Sequence, residues 1–150
     1  LQCSNAVIPN DHLRERFRQG LQAVGIGMLN IFSYKACEIA YTQCEEWLEQ
    51  FTRLVQTNAD AVTAYFAEHL PQVRVFPLEG TYLLWMDFRA LGLQKDELER
   101  VMHMDAQVFM DEGYVFGPEG EGFERMNLAA PTAHILAACE RMHEALKHLL

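Results

Sequence analysis

The apolar positions change period along the chain, and each change marks an element. Residues 3–8, CSNAVI, form a short apolar stretch stopped by Pro9 and predict a strand. Asn10 or Asp11 then caps a predicted helix that carries Leu13, Phe17, Leu21 and Val24 on one face and ends at Gly25 and Gly27. The strongest pattern follows. Cys37, Tyr41, Cys44, Leu48, Phe51 and Val55 alternate steps of four and three, a seam of period ~3.5. Ala40, Trp47 and Leu54 widen it into a broad stripe. Val62 and Phe66 prolong it through an expected break near Asn58, and Pro71 closes it. A helix this long is expected to join two substructures rather than sit inside one.

After Pro71 the period falls toward two. VRVFP and TYLLWMDF read as strands, with Glu79-Gly80 as the turn between them. A helix carrying Leu98, Val101, Met102, Val108 and Phe109 comes next. Two more strands, YVFG and ERMNLA, are predicted on either side of the loop PEGEGF. The last helix starts at Pro131, which suits a first-turn proline, and carries Ile135, Cys139, Met142, Leu146 and Leu149. From residue 72 the order is β-β-α-β-β-α. The expected class is α/β, with an α+β portion in which helices cover one face of a small, mainly antiparallel sheet.

Composition narrows the partners. Half of the 150 residues are hydrophobic and the formal charge is −9, so nucleic acid and anionic membranes are poor partners. No apolar run reaches bilayer length, and the N-terminus shows no leader pattern. The start, LQCSNAVIPN, has no initiator Met and reads as a chain cut upstream. Cys3, Cys37, Cys44 and Cys139 show no C-x-x-C spacing and read as reduced thiols of a cytoplasmic protein.

Candidate chemistry is sparse. On an extended strand Arg125, Asn127 and Ala129 point one way, and Met126, Leu128 and Ala130 the other. If the second set meets the core, Arg125 and Asn127 share a face that could line a cleft. The Arg125 guanidinium then matches a carboxylate with two parallel hydrogen bonds; the alternative is a structural ion pair to Glu121, Glu124 or another surface acid. The Gly117–Gly122 loop lacks the Lys-Ser/Thr of a phosphate cradle. The six histidines contain no H-E-x-x-H, and no metal site is expected; His103 and Asp105, two apart on a helix, diverge. Ser4 and Ser33 lie outside any G-x-S-x-G. Lys95 and Lys147 sit in polar helical contexts and Lys35 begins the long helix; none reads as a desolvated Schiff-base lysine.

As an ordered set, NAVIPN, ACEIAYTQCEEWL, EGTYLLWMDFRALGL and VFGPEGEGFERMNLAAP resemble the C-terminal part of the class I/II aminotransferase family, in its cystathionine β-lyase (C–S lyase) branch. The resemblance covers essentially the whole chain and implies the C-terminal domain of fold type I, the fold of aspartate aminotransferase. Three segments are then expected: residues 1–32 as the end of a large cofactor-binding domain, 33–70 as a long connecting helix region, and 71–150 as a small C-terminal domain.

The same resemblance implies pyridoxal 5′-phosphate as cofactor, a small amino-acid substrate and a homodimer. The family's lysine motif, S-x-x-K-x-F-N-x-A-G-L, would end at Leu1. The Schiff-base lysine and the cofactor-binding residues are therefore expected upstream, with no catalytic residue in this segment. The family's R-x-N-x-A stretch falls on Arg125, which implies a clamp for the substrate α-carboxylate, with Asn127, Gly80 and Tyr82 near the site. The implied reaction releases a thiol, pyruvate and ammonia. A transaminase of the same family, or a non-catalytic binding or oligomerisation module, is the alternative.

Overall fold

The first helix, α1 (Asp11–Ala23), begins where the sequence places its cap: the Asn10 side chain accepts from Leu13 N at 3.0 Å. The computed structural model to which it belongs describes residue 1 and residues 3–149. Gln2 and Leu150, which fall within the first and third expected segments, lie outside the described residues. Contacts divide the chain into two units, Leu1–Leu48 and Glu49–Leu150.

The first unit holds α1 and α2 (Ile31–Gln43), the latter capped by Asn30, whose side chain accepts from Phe32 N at 2.8 Å. The strand expected over residues 3–8 is not there. A strand needs a ladder partner, and this unit has no other strand among its described residues. Its backbone is instead bound piecemeal, with Arg14 Nη1 donating to Ile8 O at 2.8 Å. Leu13, Phe17 and Val24 of the predicted apolar face are exposed.

The long seam is two helices. α2 ends at Gln43, Cys44 leaves helical geometry at φ −113° and ψ 22°, and α3 runs over Glu45–His69. The break lies at Cys44, not near Asn58. Glu45 and Glu46 then occupy the first turn of α3, where carboxylates meet the positive end of the helix dipole. Asn58 is fully buried in mid-helix, and Nδ2 donates to Leu128 O at 2.9 Å and Ala130 O at 2.8 Å. Helix geometry survives there because this asparagine bonds a neighbouring segment rather than its own backbone.

The second unit is built on a four-stranded antiparallel sheet in the order β1-β2-β4-β3, from β1 (Arg74–Val75), β2 (Leu83–Asp87), β3 (Asp111–Glu112) and β4 (Phe123–Asn127). The central pair aligns Leu83 with Asn127 and Trp85 with Arg125. Alternation sends Leu84, Met86, Met126 and Leu128 into the core with Val55, Val62 and Phe66 of α3. Ile135, Cys139, Met142 and Leu146 of α5 (Thr132–Leu146) complete it, while Leu149 lies beyond the helix and is exposed. Phe66 and Phe88, both buried, meet edge-to-face at 6.2 Å. Burial of each stabilises the fold by roughly 2–3 kcal/mol. Sheet and helices thus form the expected α/β arrangement.

Two predicted elements are displaced. The helix through Phe109 stops early: α4 covers Lys95–Arg100 and continues as a π-helical turn, Val101–Asp105. Val108 is buried, but Phe109 is outside the helix and 76% exposed. The strand expected at YVFG is a 3₁₀ turn, Gly113–Phe116, followed by a second one, Pro118–Gly120; the strand itself lies just before them, at Asp111–Glu112. The cause is a backbone crossing. A Cβ on Gly113 or on Gly120 would run into the other's carbonyl, so the two glycines lock the loop PEGEGF back against the start of YVFG.

Candidate functional site

The face of the sheet turned away from the core carries Asp87, Asp111 and Arg125. Arg125 and Asn127 both lie on it, as strand alternation requires. Arg125 donates from Nε at 3.1 Å and Nη2 at 2.8 Å to one oxygen of Asp111, its cross-strand partner on β3. Its guanidinium lies 4.3 Å from the centre of the Phe116 ring. Phe116 meets Trp85 edge-on at 5.9 Å, and Trp85 stacks on Phe123 at 5.6 Å. Arg125 is thus aimed by an aromatic floor and one carboxylate, and its Nη1 makes no hydrogen bond among the described residues.

A second arginine over this face uses the same two guanidinium donors but grips both oxygens of its partner. Arg89 forks onto both oxygens of Asp87, at 2.9 Å and 2.8 Å, and lies over Phe123 at 4.4 Å. That fork holds the Asp87 carboxyl below its ordinary range. Sequence reasoning missed this pair, although D-F-R shows its spacing.

The ion-pair partner of Arg125 is another surface acid, Asp111, and neither Glu121 nor Glu124. Glu124 could not serve, because neighbours on a strand point to opposite faces: it is buried with 2% of its surface exposed. Asn127 Oδ1 accepts from Ala129 N at 2.9 Å. Tyr82 is partly exposed, sets its ring edge-on to Phe51 at 6.0 Å, and accepts at its carbonyl from Leu128 N at 2.8 Å. Gly80 is exposed in the β1–β2 connection, with open space where a Cβ would stand. Among the described residues no hydrogen bond or ring contact joins Arg125 to Asn127, Tyr82 or Gly80.

The core side of the β3 edge gathers groups that the sequence left scattered. Glu112 stands opposite Glu124 in the ladder. His103 Nε2 lies 2.9 Å from Glu112 Oε1 and its Nδ1 3.9 Å from Glu99 Oε1, while Tyr114 donates to Glu99 at 2.8 Å. Burial pushes the Glu124 carboxyl up to about 8, and the charges of Glu112, Glu99 and Asp111 add to the effect. The bond to Glu99 pushes the Tyr114 phenol up to about 12. Glu99 and His103, four apart, were legible as one helix face; the return of β3 beside them was not. Asp105 pairs with Arg100 at 2.9 Å, apart from His103.

Comparison with known proteins gives the class, then the branch. No protein-family model matches the chain. Cystalysin from Treponema denticola, whose structure contains pyridoxal 5′-phosphate, superposes with a TM-score of 0.87 at 42% identity over 96% of this chain and 36% of its own. The chain therefore has the fold of a portion of a fold-type-I pyridoxal-phosphate enzyme. The cystathionine β-lyase PatB of Bacillus subtilis is 34% identical over 146 residues, 97% of this chain and 38% of the relative. Protein MalY of Escherichia coli is 28% identical over 134 residues, 86% of this chain and 33% of the relative. The chain corresponds to the C-terminal portion of the cystathionine β-lyase (C–S lyase) branch, and it spans between 33% and 38% of the length of these two curated relatives.

The residues present do not form a covalent cofactor site. Lys35 is 65% exposed and paired with Glu38, Lys95 is 46% exposed beside Glu121, and Lys147 pairs with Glu144. None is desolvated as a Schiff-base lysine must be.

Proposed function

We propose that this chain is part of a pyridoxal-phosphate enzyme of amino-acid metabolism, a C–S lyase that splits a sulfur-containing amino acid into a thiol, pyruvate and ammonia. The observation that carries the reading is Arg125: a guanidinium on an open sheet face, aimed by Phe116, with Nη1 unbonded. Such a fork binds an α-carboxylate and fixes the orientation of the bonds at Cα. Asn127 borders it on the same face, and Gly80 and Tyr82 are assigned places near the site on the resemblance of EGTYLLWMDFRALGL alone. Asp111 holds the guanidinium until substrate arrives, and the incoming carboxylate takes over one of its hydrogen bonds.

The cofactor is assigned to residues beyond this chain, so the 150 residues alone neither hold it covalently nor turn over substrate. Residues 1–32 are assigned to the larger domain, 33–70 to the connecting region and 71–150 to the small domain. Among the described residues no helix is long and apolar enough to cross a membrane. A reduced, cytoplasmic homodimer is consistent with four free cysteines and with Phe32, Tyr41 and Trp47, exposed surface that an assembly would cover.

The intact protein should release pyruvate from cystathionine without a keto-acid acceptor. Amino transfer to a keto acid with no pyruvate would replace the lyase with a transaminase.

A further inference from the structure

We infer that Glu99, His103 and Glu112 form a binding site for a divalent transition-metal cation, with Glu124 behind it. This inference is independent of the reaction proposed above. One ligand atom from each of the three residues lies within 4.8 Å of the others. Tetrahedral ligands bound at ~2.1 Å stand about 3.4 Å apart, so a bound ion would part His103 Nε2 and Glu112 Oε1, now 2.9 Å apart, by roughly half an ångström. Glu99 and His103 share one face across the junction of α4 with the π-helical turn, and Glu112 comes from β3. Two elements therefore fix the three ligands.

The surroundings resemble the outer shell of a metal centre. Phe109 stacks on the His103 ring at 4.6 Å and fixes its plane. The Tyr114 hydroxyl donates to one oxygen of Glu99 at 2.8 Å and leaves the other to ligate. Side-chain exposures of 36%, 23% and 17% for Glu99, His103 and Glu112 leave a path from solvent.

The independent sign is Glu124. Only 2% of it is exposed, and its side chain makes no hydrogen bond or ion pair among the described residues. It stands directly opposite Glu112 on the same face of the ladder. Like charges opposite one another destabilise a sheet, and a buried carboxyl without a partner costs more than an exposed one. A cation between the strands and α4 answers both. One imidazole with carboxylate oxygens suits Zn²⁺ or Mn²⁺ better than Mg²⁺, which prefers water and oxygen alone.

The test uses the intact protein, stripped with a chelator and dialysed against micromolar Zn²⁺ or Mg²⁺. Wild type should take up one more Zn²⁺ per chain than the His103→Gln/Glu112→Gln variant, and no Mg²⁺ at this site. Glu99→Gln should weaken Zn²⁺ at least tenfold, and Tyr114→Phe should weaken it less. Equal Zn²⁺ uptake by wild type and the double variant would overturn the site and leave His103–Glu112 an ion pair only. If the double variant does not fold, zinc-soaked wild-type crystals decide. Anomalous density within bonding distance of His103 Nε2 supports the site, and its absence there overturns it.

Discussion

Arg125 and Asp111 face each other across the β3–β4 ladder, and both guanidinium donors fall on the same carboxylate oxygen. This one-oxygen geometry differs from the two-oxygen fork between Arg89 and Asp87 on the same sheet face. Both guanidiniums donate through Nε and Nη2, and neither Nη1 makes a hydrogen bond among the described residues. They differ in grip: Arg89 holds both oxygens of its carboxylate, whereas Arg125 holds only one and is the easier of the two for a ligand carboxylate to draw away.

Replacing Arg125 with Ala in the intact enzyme removes charge-assisted bonds worth ~1.5–3 kcal/mol each. The expected loss in kcat/KM is on the order of 30- to 1000-fold. Arg125→Lys keeps the charge but not the planar fork, and should recover only part of the loss. Steady-state kinetics with cystathionine decide this, and an unchanged kcat/KM in the Ala variant would remove Arg125 from the site.

Asn58 ties α3 to the segment after β4 through a buried bond to Leu128 O and a part-buried one to Ala130 O. Asn58→Asp replaces its two-proton donor with a carboxylate facing two carbonyls. That change should destabilise the protein by about 3 kcal/mol, measured by urea unfolding at neutral pH. Asn58→Ala should cost less, because it buries no new charge. Equal stability of all three proteins would show that the tie does not hold α3.

Much of the second unit was legible because its signals are local. The β1–β2 pair, the α5 stripe and the alternation through Arg125 and Asn127 each follow from period and turn residues within one segment. What failed depended on distant neighbours. Residues 3–8 look like a strand but find no ladder. Asn58 looks like a helix breaker, yet its partners lie some 70 positions away. YVFG looks extended, but the Gly113–Gly120 crossing bends it. Of the acids offered to Arg125, local geometry alone excludes Glu124: if Arg125 faces outward, its neighbour faces the core.

The Gly113–Gly120 crossing gives its own prediction. An alanine at Gly113 would also come within 2.8 Å of the Phe123 backbone oxygen and Cβ, so the loop must part from β4. Gly113→Ala should therefore destabilise the unit by roughly 2 kcal/mol, whereas Gly80→Ala, with open space around it, should change stability by under ~1 kcal/mol. Thermal unfolding of the two variants side by side checks the contrast.

Glu124 makes stability depend on pH in the direction opposite to a salt-bridged acid. Its carboxyl is pushed from the ordinary 4.5 up to about 8 by burial and by Glu112, Glu99 and Asp111. Between those values the folded chain holds a proton that the unfolded chain has released. Unfolding thus releases a proton, and stability falls as pH rises from 4.5 toward 8, then levels off. The loss is on the order of 2–4 kcal/mol, reduced by whatever water reaches the group. Glu124→Gln mimics the protonated form. With a chelator present, so that no cation offsets the charge, the variant should match wild type near pH 5 and unfold several degrees higher near pH 9. A wild-type melting profile parallel to that of the variant across this range would show that Glu124 ionises freely where it stands.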